Sequence, residues 1–361
     1  MPITLSASDP TPDLRPLQTY LDHVRYPRQR LDCRGKGVTV RVLDGGWRFD
    51  HEALNNPYIF RRVSQSGVRE MDIKHGTSVL GILAGLWTMQ GICPDALIRP
   101  RLWFTLQGEL RDAADTLSRG DVLLIERCLG APPLEMPVET SPDLLPGILD
   151  CASKGIIVVE PAGNSNLNLD PYIFDTEHRA IMVGGAHVWP DGTGWPERRI
   201  APTADTSYGA RVDVCAPAWE GITCGPSDYI DGPDPLRHYG MFGGTSMASA
   251  IVAGVCAGIN SARLAAGKNT LDSQGMRDLL VWTGQDVAYP RCPIGKFIDV
   301  TKALQTTLPD PDFDMDDMVG WGDFFEFAAC WNAQDMRADF DGDGAVSWRD
   351  FNVLRRRFGA S

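Results

Sequence analysis

Short apolar runs that stop abruptly at small or polar residues punctuate the first two hundred positions. Residues 38–43 run into Asp44-Gly45-Gly46, and 121–125 into Glu126-Arg127-Cys128-Leu129-Gly130. Residues 156–159 lead to Glu160-Pro161-Ala162-Gly163-Asn164, and 180–183 to Gly184-Gly185. The last three runs lack polar alternation, the pattern of strands covered on both faces in a parallel sheet. Helical spacing of apolar residues follows over 75–86, 144–154 and 246–264. Alternating strands and helices predict an α/β fold, a mostly parallel sheet with helices on both faces. In such a sheet chemistry gathers at the carboxyl ends of the strands, where these glycine-rich and polar clusters fall.

Composition narrows the partners. Of 361 residues, 43% are hydrophobic and 22% charged, enough apolar surface for a large core. A net charge of −13 argues against nucleic acid or an anionic membrane as the main partner. The apolar stretches 78–89 and 247–259 fall short of the 18–20 residues of a bilayer crossing, so no membrane span is expected. The first residues lack the basic and apolar regions of a secretion signal. Nine cysteines lie singly with no CxxC pair, which excludes a disulfide framework or zinc cluster. They read as small buried apolar residues, with a Cys215–Cys224 pairing left open.

Four segments carry candidate chemistry: 42–46 around Asp44, His75-Gly76-Thr77-Ser78, Pro161-Ala162-Gly163-Asn164, and Gly243-Gly244-Thr245-Ser246-Met247-Ala248-Ser249. A serine hydroxyl is a poor nucleophile until a neighbouring base takes its proton. Ser246 follows a Gly-Gly turn and opens an apolar helix, whose free N–H groups favour negative charge on a substrate oxygen. His75 is expected at a helix start, Asp44 closes a strand, and Asn164 offers a side-chain amide donor. Together these segments resemble the subtilisin-like serine peptidases, over roughly residues 37–304. The resemblance implies that Asp44 orients His75, that His75 is general base and then acid, and that Ser246 is the nucleophile. It also implies that Asn164 completes an oxyanion hole and that Cys128, Leu129, Gly130 and Gly163 line the polypeptide substrate. Gly45, Ser78 and Ala250 depart from the family pattern without touching a proton-transferring group. Glu126 and Glu160, ending strands near the site, would bias it towards basic side chains, or are simply solvated.

After Leu308 the texture changes. Residues 310–361 hold 12 acids and 5 arginines, net −7. Within them 312–324 matches 339–351 at 8 of 13 positions, an internal duplication. The second copy fits the D-x-D-x-D-G calcium loop: Asp339, Asp341, Asp343 and Asp350 as carboxylate ligands, Ala345 by its carbonyl, and Ser347 directly or through water. The first copy offers Asp312, Asp314, Asp316, Asp323 and the Met318 carbonyl, with Asp317 replacing the turn glycine, so weaker binding is expected there. This pair resembles a dockerin, a small all-α EF-hand-like module. That likeness implies Ca2+ as cofactor and a cohesin-like docking partner, with Trp321 and Trp348 as its anchors.

The expected organisation is therefore 1–35 as an N-terminal extension, 36–307 as the peptidase domain and 308–361 as the calcium-binding module. Calcium loops point to an extracellular setting and the missing signal points the other way, so location stays open. The expected activity is serine endopeptidase. The alternatives are a catalytically inactive scaffold acting through the module, and a peptide-ligating relative.

Overall fold

The computed structural model describes residues 3–6, 8–131, 134–172, 180–189, 199–308, 311–313, 318–340 and 345–358. The first half runs β1 (Ile3–Thr4), α1 (Thr19–His23), β2 (Thr39–Asp44), α2 (Glu70–Ala84), β3 (Leu97–Leu102), α3 (Leu106–Thr116), β4 (Val122–Ile125), β5 (Cys128–Ala131), β6 (Leu134–Pro137), α4 (Leu145–Ser153) and β7 (Ile157–Pro161). It continues through β8 (Ile181–Trp189), β9 (Arg199–Pro202), β10 (Val214–Pro217), β11 (Gly221–Cys224), β12 (Ile230–Asp231), β13 (Tyr239–Phe242) and α5 (Gly244–Ala265). The last elements are α6 (Ser273–Thr283), β14 (Lys296–Phe297), α7 (Val300–Thr307), α8 (Trp321–Ala333) and α9 (Trp348–Arg357).

The main sheet has the order β14-β10-β8-β7-β4-β2-β3, parallel throughout, with β9 added antiparallel to β8. Its central strands are apolar at nearly every position because both faces are covered. Val40, Val42, Val122, Leu124, Ile157 and Val159 point into the larger core, under α2 and α5. Their neighbours Leu43, Leu123, Ile125 and Val158 point to the other face, against Leu110, Ala113, Ile148 and Cys151 of α3 and α4. A period of two, apolar in both phases, thus fixes a three-layer arrangement.

Helix α5 packs on β4, β7, β8 and β10 and against α2. Its alanines, glycines and serines permit burial nearly all round. The apolar run 247–259 read as too short for a bilayer, yet the helix carrying it has 22 residues and passes that test by length and composition. With 89% of its apolar window buried inside the protein, it is a core helix here. Helix α2 also begins earlier than the apolar spacing indicated, at Glu70 rather than 75. Glu70 and Asp72 occupy its first turn, where carboxylates favour the helix dipole but hide the apolar period.

Of the segment 1–35, expected as an extension, the described residues contribute to the same core. Leu14, Tyr20, Leu21 and Val24 are buried, and β1 pairs with β12 in a second, four-stranded sheet. Cys215 and Cys224 are both buried and free, so they do not pair.

The duplicated tail builds a core of its own from Phe313, Val319, Phe327, Cys330, Ala338, Val346 and Leu354. Equivalent residues of the two copies face each other: Phe313 meets Phe340 edge-on at 5.8 Å and Phe324 meets Phe351 at 6.4 Å. One side rests on α7, whose Gln305 side chain donates to the Phe313 carbonyl. Trp321 and Trp348 stay 67% and 68% exposed.

Leu21→Ala is expected to cost about 2–5 kcal/mol in denaturant unfolding, the loss for a leucine emptied from a packed core. A loss under about 0.5 kcal/mol would mean that the N-terminal segment lies loosely on the surface.

Candidate functional site

The carboxyl ends of β2, β4 and β7 bring the sequence-selected groups together. Asp44 is the last residue of β2 and fully buried. Both its oxygens lie 3.0 Å from His75 Nδ1, and the Gly45 N–H donates to Oδ1 at 2.5 Å. His75 sits in the second turn of α2, not at its start, with its side chain 30% exposed. The position still serves, because an imidazole needs one nitrogen held and the other open. Among the described residues no hydrogen bond joins its ring to Ser246, and Nδ1 is the nitrogen held by Asp44. Phe242, which ends β13 ahead of the Gly243-Gly244 turn, presents its ring edge-on to His75 at 5.4 Å.

Ser246 is half-buried in the first turn of α5. That turn is fixed by Asn164, just past β7. Thr245 donates to Asn164 Oδ1 from its backbone N–H at 2.8 Å and its hydroxyl at 3.1 Å. Since a backbone N–H can only donate, the amide oxygen must face Thr245, and the Asn164 NH₂ turns away. Two glycines are obligatory here. Gly244 has φ +71°, and a Cβ on it would come 2.9 Å from Asn164 Oδ1. Gly163 has φ +97°, with the Glu135 carbonyl 3.0 Å from where its Cβ would lie.

The expected substrate-lining residues lie on a hairpin. Cys128, Leu129 and Gly130 belong to β5, which pairs antiparallel with β6. Glu135 of β6 then reaches 163–165: its N–H donates to Ser165 Oγ at 2.8 Å, and its carboxylate accepts from the Asn164 N–H at 3.4 Å. One edge of β5 is therefore taken by the chain itself. Burial, and then the charges of Glu135, Glu160 and Glu126, push the Cys128 thiol far up, leaving it inert.

Glu126 and Glu160 are neither solvated nor open to a substrate; they are 2% and 0% exposed. Glu160 accepts from the Glu139 N–H at 3.3 Å and joins a buried network in which Arg211 bonds Glu139 and Asp213. Glu126 stands immediately after β4 and accepts from Ser249 Oγ of α5 at 2.9 Å. The sequence signal for it was a carboxylate directly following a fully apolar strand, which also fits a solvated turn. Thr245, Ser249 and Phe242 carried no signal of their own. His51 is buried, its Nδ1 accepting from the Ala53 N–H and Nε2 facing the His238 carbonyl, and burial draws it down to about 4. Its role is structural.

Electrostatics favour a charged imidazole. Burial alone would lower His75, but the Asp44 charge and hydrogen bonds, with Glu126 and Asp72, outweigh it and bring it up to about 9. Burial pushes Asp44 upward against the pull of His75.

In the tail, Asp312, Asp323, Asp339 and Asp350 are all buried, between 0% and 7% exposed. Asp323 accepts from Phe313 and Gly320 N–H groups, and Asp350 from those of Phe340 and Ser347, so the copies match bond for bond. Ser347 caps α9, accepting from the Arg349 N–H. Asp314, Asp316, Asp341 and Asp343 lie outside the described residues. Among the described residues no group of three or more acidic, His or Cys side chains is gathered for a metal. Met318 and Ala345, expected to offer carbonyls in the two copies, lie at matching positions, the first with its side chain exposed.

Asp44→Asn should lower the His75 imidazole from about 9, because its largest compensating charge and its hydrogen bonds are lost and burial then meets only Glu126 and Asp72. Histidine ring NMR through a pH titration reads this directly. An unchanged value would contradict the assignment of Asp44 as the charge that holds the ring.

The profile of the subtilase family, peptidase S8, matches residues 35–322. No curated protein matches the chain. Among solved structures, the PatG macrocyclase in complex with peptide aligns over 84% of this chain and all of its own, with 15% identity and a TM-score of 0.61. Proteases from Pseudoalteromonas arctica align over 83% and 100%, with 20% identity and a TM-score of 0.60. A mutant of the protease domain of PatA aligns over 75% and 94%, with 20% identity and a TM-score of 0.57. At such identities the likeness is one of fold. With the match of the profile over most of its length, the chain belongs to the subtilase family.

Proposed function

We propose that this subtilase is a serine endopeptidase working through an acyl-enzyme. The observation that carries the reading is the buried Asp44 held on His75 Nδ1, together with Ser246 in the first turn of a helix that Asn164 fixes. His75 Nε2 takes the Ser246 proton as Oγ attacks the scissile carbonyl carbon. The electron pair displaced onto the carbonyl oxygen meets the Asn164 NH₂, which Thr245 turns outward, and the Ser246 N–H. His75 then returns the proton to the leaving amine, and a water repeats the sequence to release the acid. Asp44 keeps its charge throughout and stabilises the imidazolium. An extended peptide has the edge of β5 that no strand pairs with among the described residues, near Cys128, Leu129, Gly130 and Gly163, because β6 covers the other edge.

The tail is read as a dockerin-like module, residues 308–361, with Ca2+ as its cofactor. Burial of matching carboxylates in both copies supports this, since such groups cost free energy without a cation or full hydrogen bonding. Asp339, Asp341, Asp343, Ala345, Ser347 and Asp350 would hold one ion, and Asp312, Asp314, Asp316, Met318 and Asp323 a weaker second. When bound, calcium supplies charge neutralisation for the two loops. The exposed Trp321 and Trp348 suit a cohesin-like partner.

Hydrolysis of an unfolded protein substrate by wild type and Ser246→Ala, each with calcium and with chelator, tests both parts. Wild type is expected to cleave, and the variant to lose about four orders of magnitude or more. Chelation should loosen the tail, read by tail-specific aromatic NMR signals, and spare cleavage. Equal rates in the two proteins would refute the serine mechanism. Joined rather than hydrolysed peptide ends, read by mass, would favour the ligating alternative. Folded protein inactive in every arm would favour a scaffold.

A further inference from the structure

Glu126 is a buried carboxylate without a task in the mechanism above. Its backbone N–H donates to the Leu43 carbonyl at 2.9 Å, which locks it beside Asp44 across the β2–β4 pair. Oε1 accepts from Ser249 Oγ at 2.9 Å, and the same hydroxyl lies 3.1 Å from the Ser246 carbonyl, one turn earlier on α5. Among the described residues, the fully buried Oε2 has no partner of good hydrogen-bond geometry, although the Ser246 hydroxyl is near enough to the carboxyl to favour its charge. A carboxylate oxygen left this way costs about 1–3 kcal/mol or more, so something at the site must favour keeping it.

The surrounding groups say what that is. Asp44 comes from β2, His75 from α2, Ser246 and Ser249 from α5, and Cys128 from β5; among the described residues the cationic group acting on Glu126 is His75. Asp72 adds a further negative charge to the His75 side. We propose that Glu126 is a positioning residue for the reaction assigned to Ser246: a second buried carboxylate that, with Asp44, stabilises the His75 imidazolium and anchors the serine turn through Ser249.

This rests on the serine-peptidase reading for its effect on rate, but not for its effect on the ring. In water the two carboxylates would be screened from the imidazole; beneath α5 they are not. Burial pushes Glu126 up to about 8, just below His75 at about 9, so the two protons leave the site in coupled steps. Glu126 is then charged over the pH range in which His75 becomes a free base. The site trades readiness at neutral pH for a better-stabilised imidazolium, which moves the acid limb of the rate profile upward.

The test pairs histidine ring NMR with the pH profile of kcat/KM, in wild type and in Glu126→Gln, whose amide oxygen can still accept from Ser249. In wild type the His75 resonance should titrate in two inflections, near 8 and near 9. In Glu126→Gln one inflection should remain, about one pH unit lower, and the acid limb of the rate profile should move with it. The plateau kcat should fall about tenfold with KM unchanged, and Glu126→Asp should restore part of both. A single His75 inflection in wild type, or a shift below about 0.3 unit in the variant, overturns the proposal. The wild-type curve decides alone if the variant does not fold. A shifted ring in a protein that cleaves nothing would uphold Glu126 and refute the peptidase reading instead.

Discussion

An anion with no exposed surface, Asp44, has to be compensated where it stands, and that need organises the middle of this molecule. The sheet end supplies one N–H from Gly45, and α2 supplies an imidazole centred on both oxygens. To hold that ring against β2, α2 must cross the sheet at one height. To keep water from the pair, α5 must lie over β4, β7, β8 and β10. The largely buried strand β2 and the long small-residue helix α5 give that pair its low-dielectric setting, while one side of the imidazole stays open.

Much of this was written in the sequence, and the exceptions have physical causes. Strands covered on both faces announce themselves as unbroken apolar runs, so β4 was legible to within a residue and β7 to within two. The helices over 144–154 and 246–264 were equally plain, since their apolar period starts at the first turn. Helix α2 was read five residues late because its first turn is acidic. The strands β11, β12 and β13 are short and rich in polar or glycine residues, and only their pairing makes them a sheet. Asp44, His75, Asn164 and Ser246 stood out because their types and order repeat a known pattern; what the structure adds is Asp44 on His75 and Asn164 on Thr245. Glu126 was seen but misjudged: exposure depends on what packs above a strand end, which no local pattern encodes.

The tail follows a different logic from the domain it accompanies. The larger domain compensates several of its buried carboxylates with Arg211 and His75, whereas the tail buries carboxylates from two copies of one motif around a small aromatic core. Its net charge of −7 in 52 residues is self-repelling unless a cation intervenes. Duplication solves the packing, since each copy offers the other the same phenylalanines. It does nothing for the charge, which is why the calcium reading and the aromatic pairing belong together.

Whether the buried pair at the centre activates Ser246 can be asked without knowing any substrate. The intact protein would be treated with a fluorophosphonate, which forms a covalent adduct only with an activated serine, then digested and mapped by mass spectrometry. The account predicts one adduct per chain, on Ser246, lost in His75→Ala. An unlabelled protein, or label spread over other serines with Ser246 spared, would contradict it.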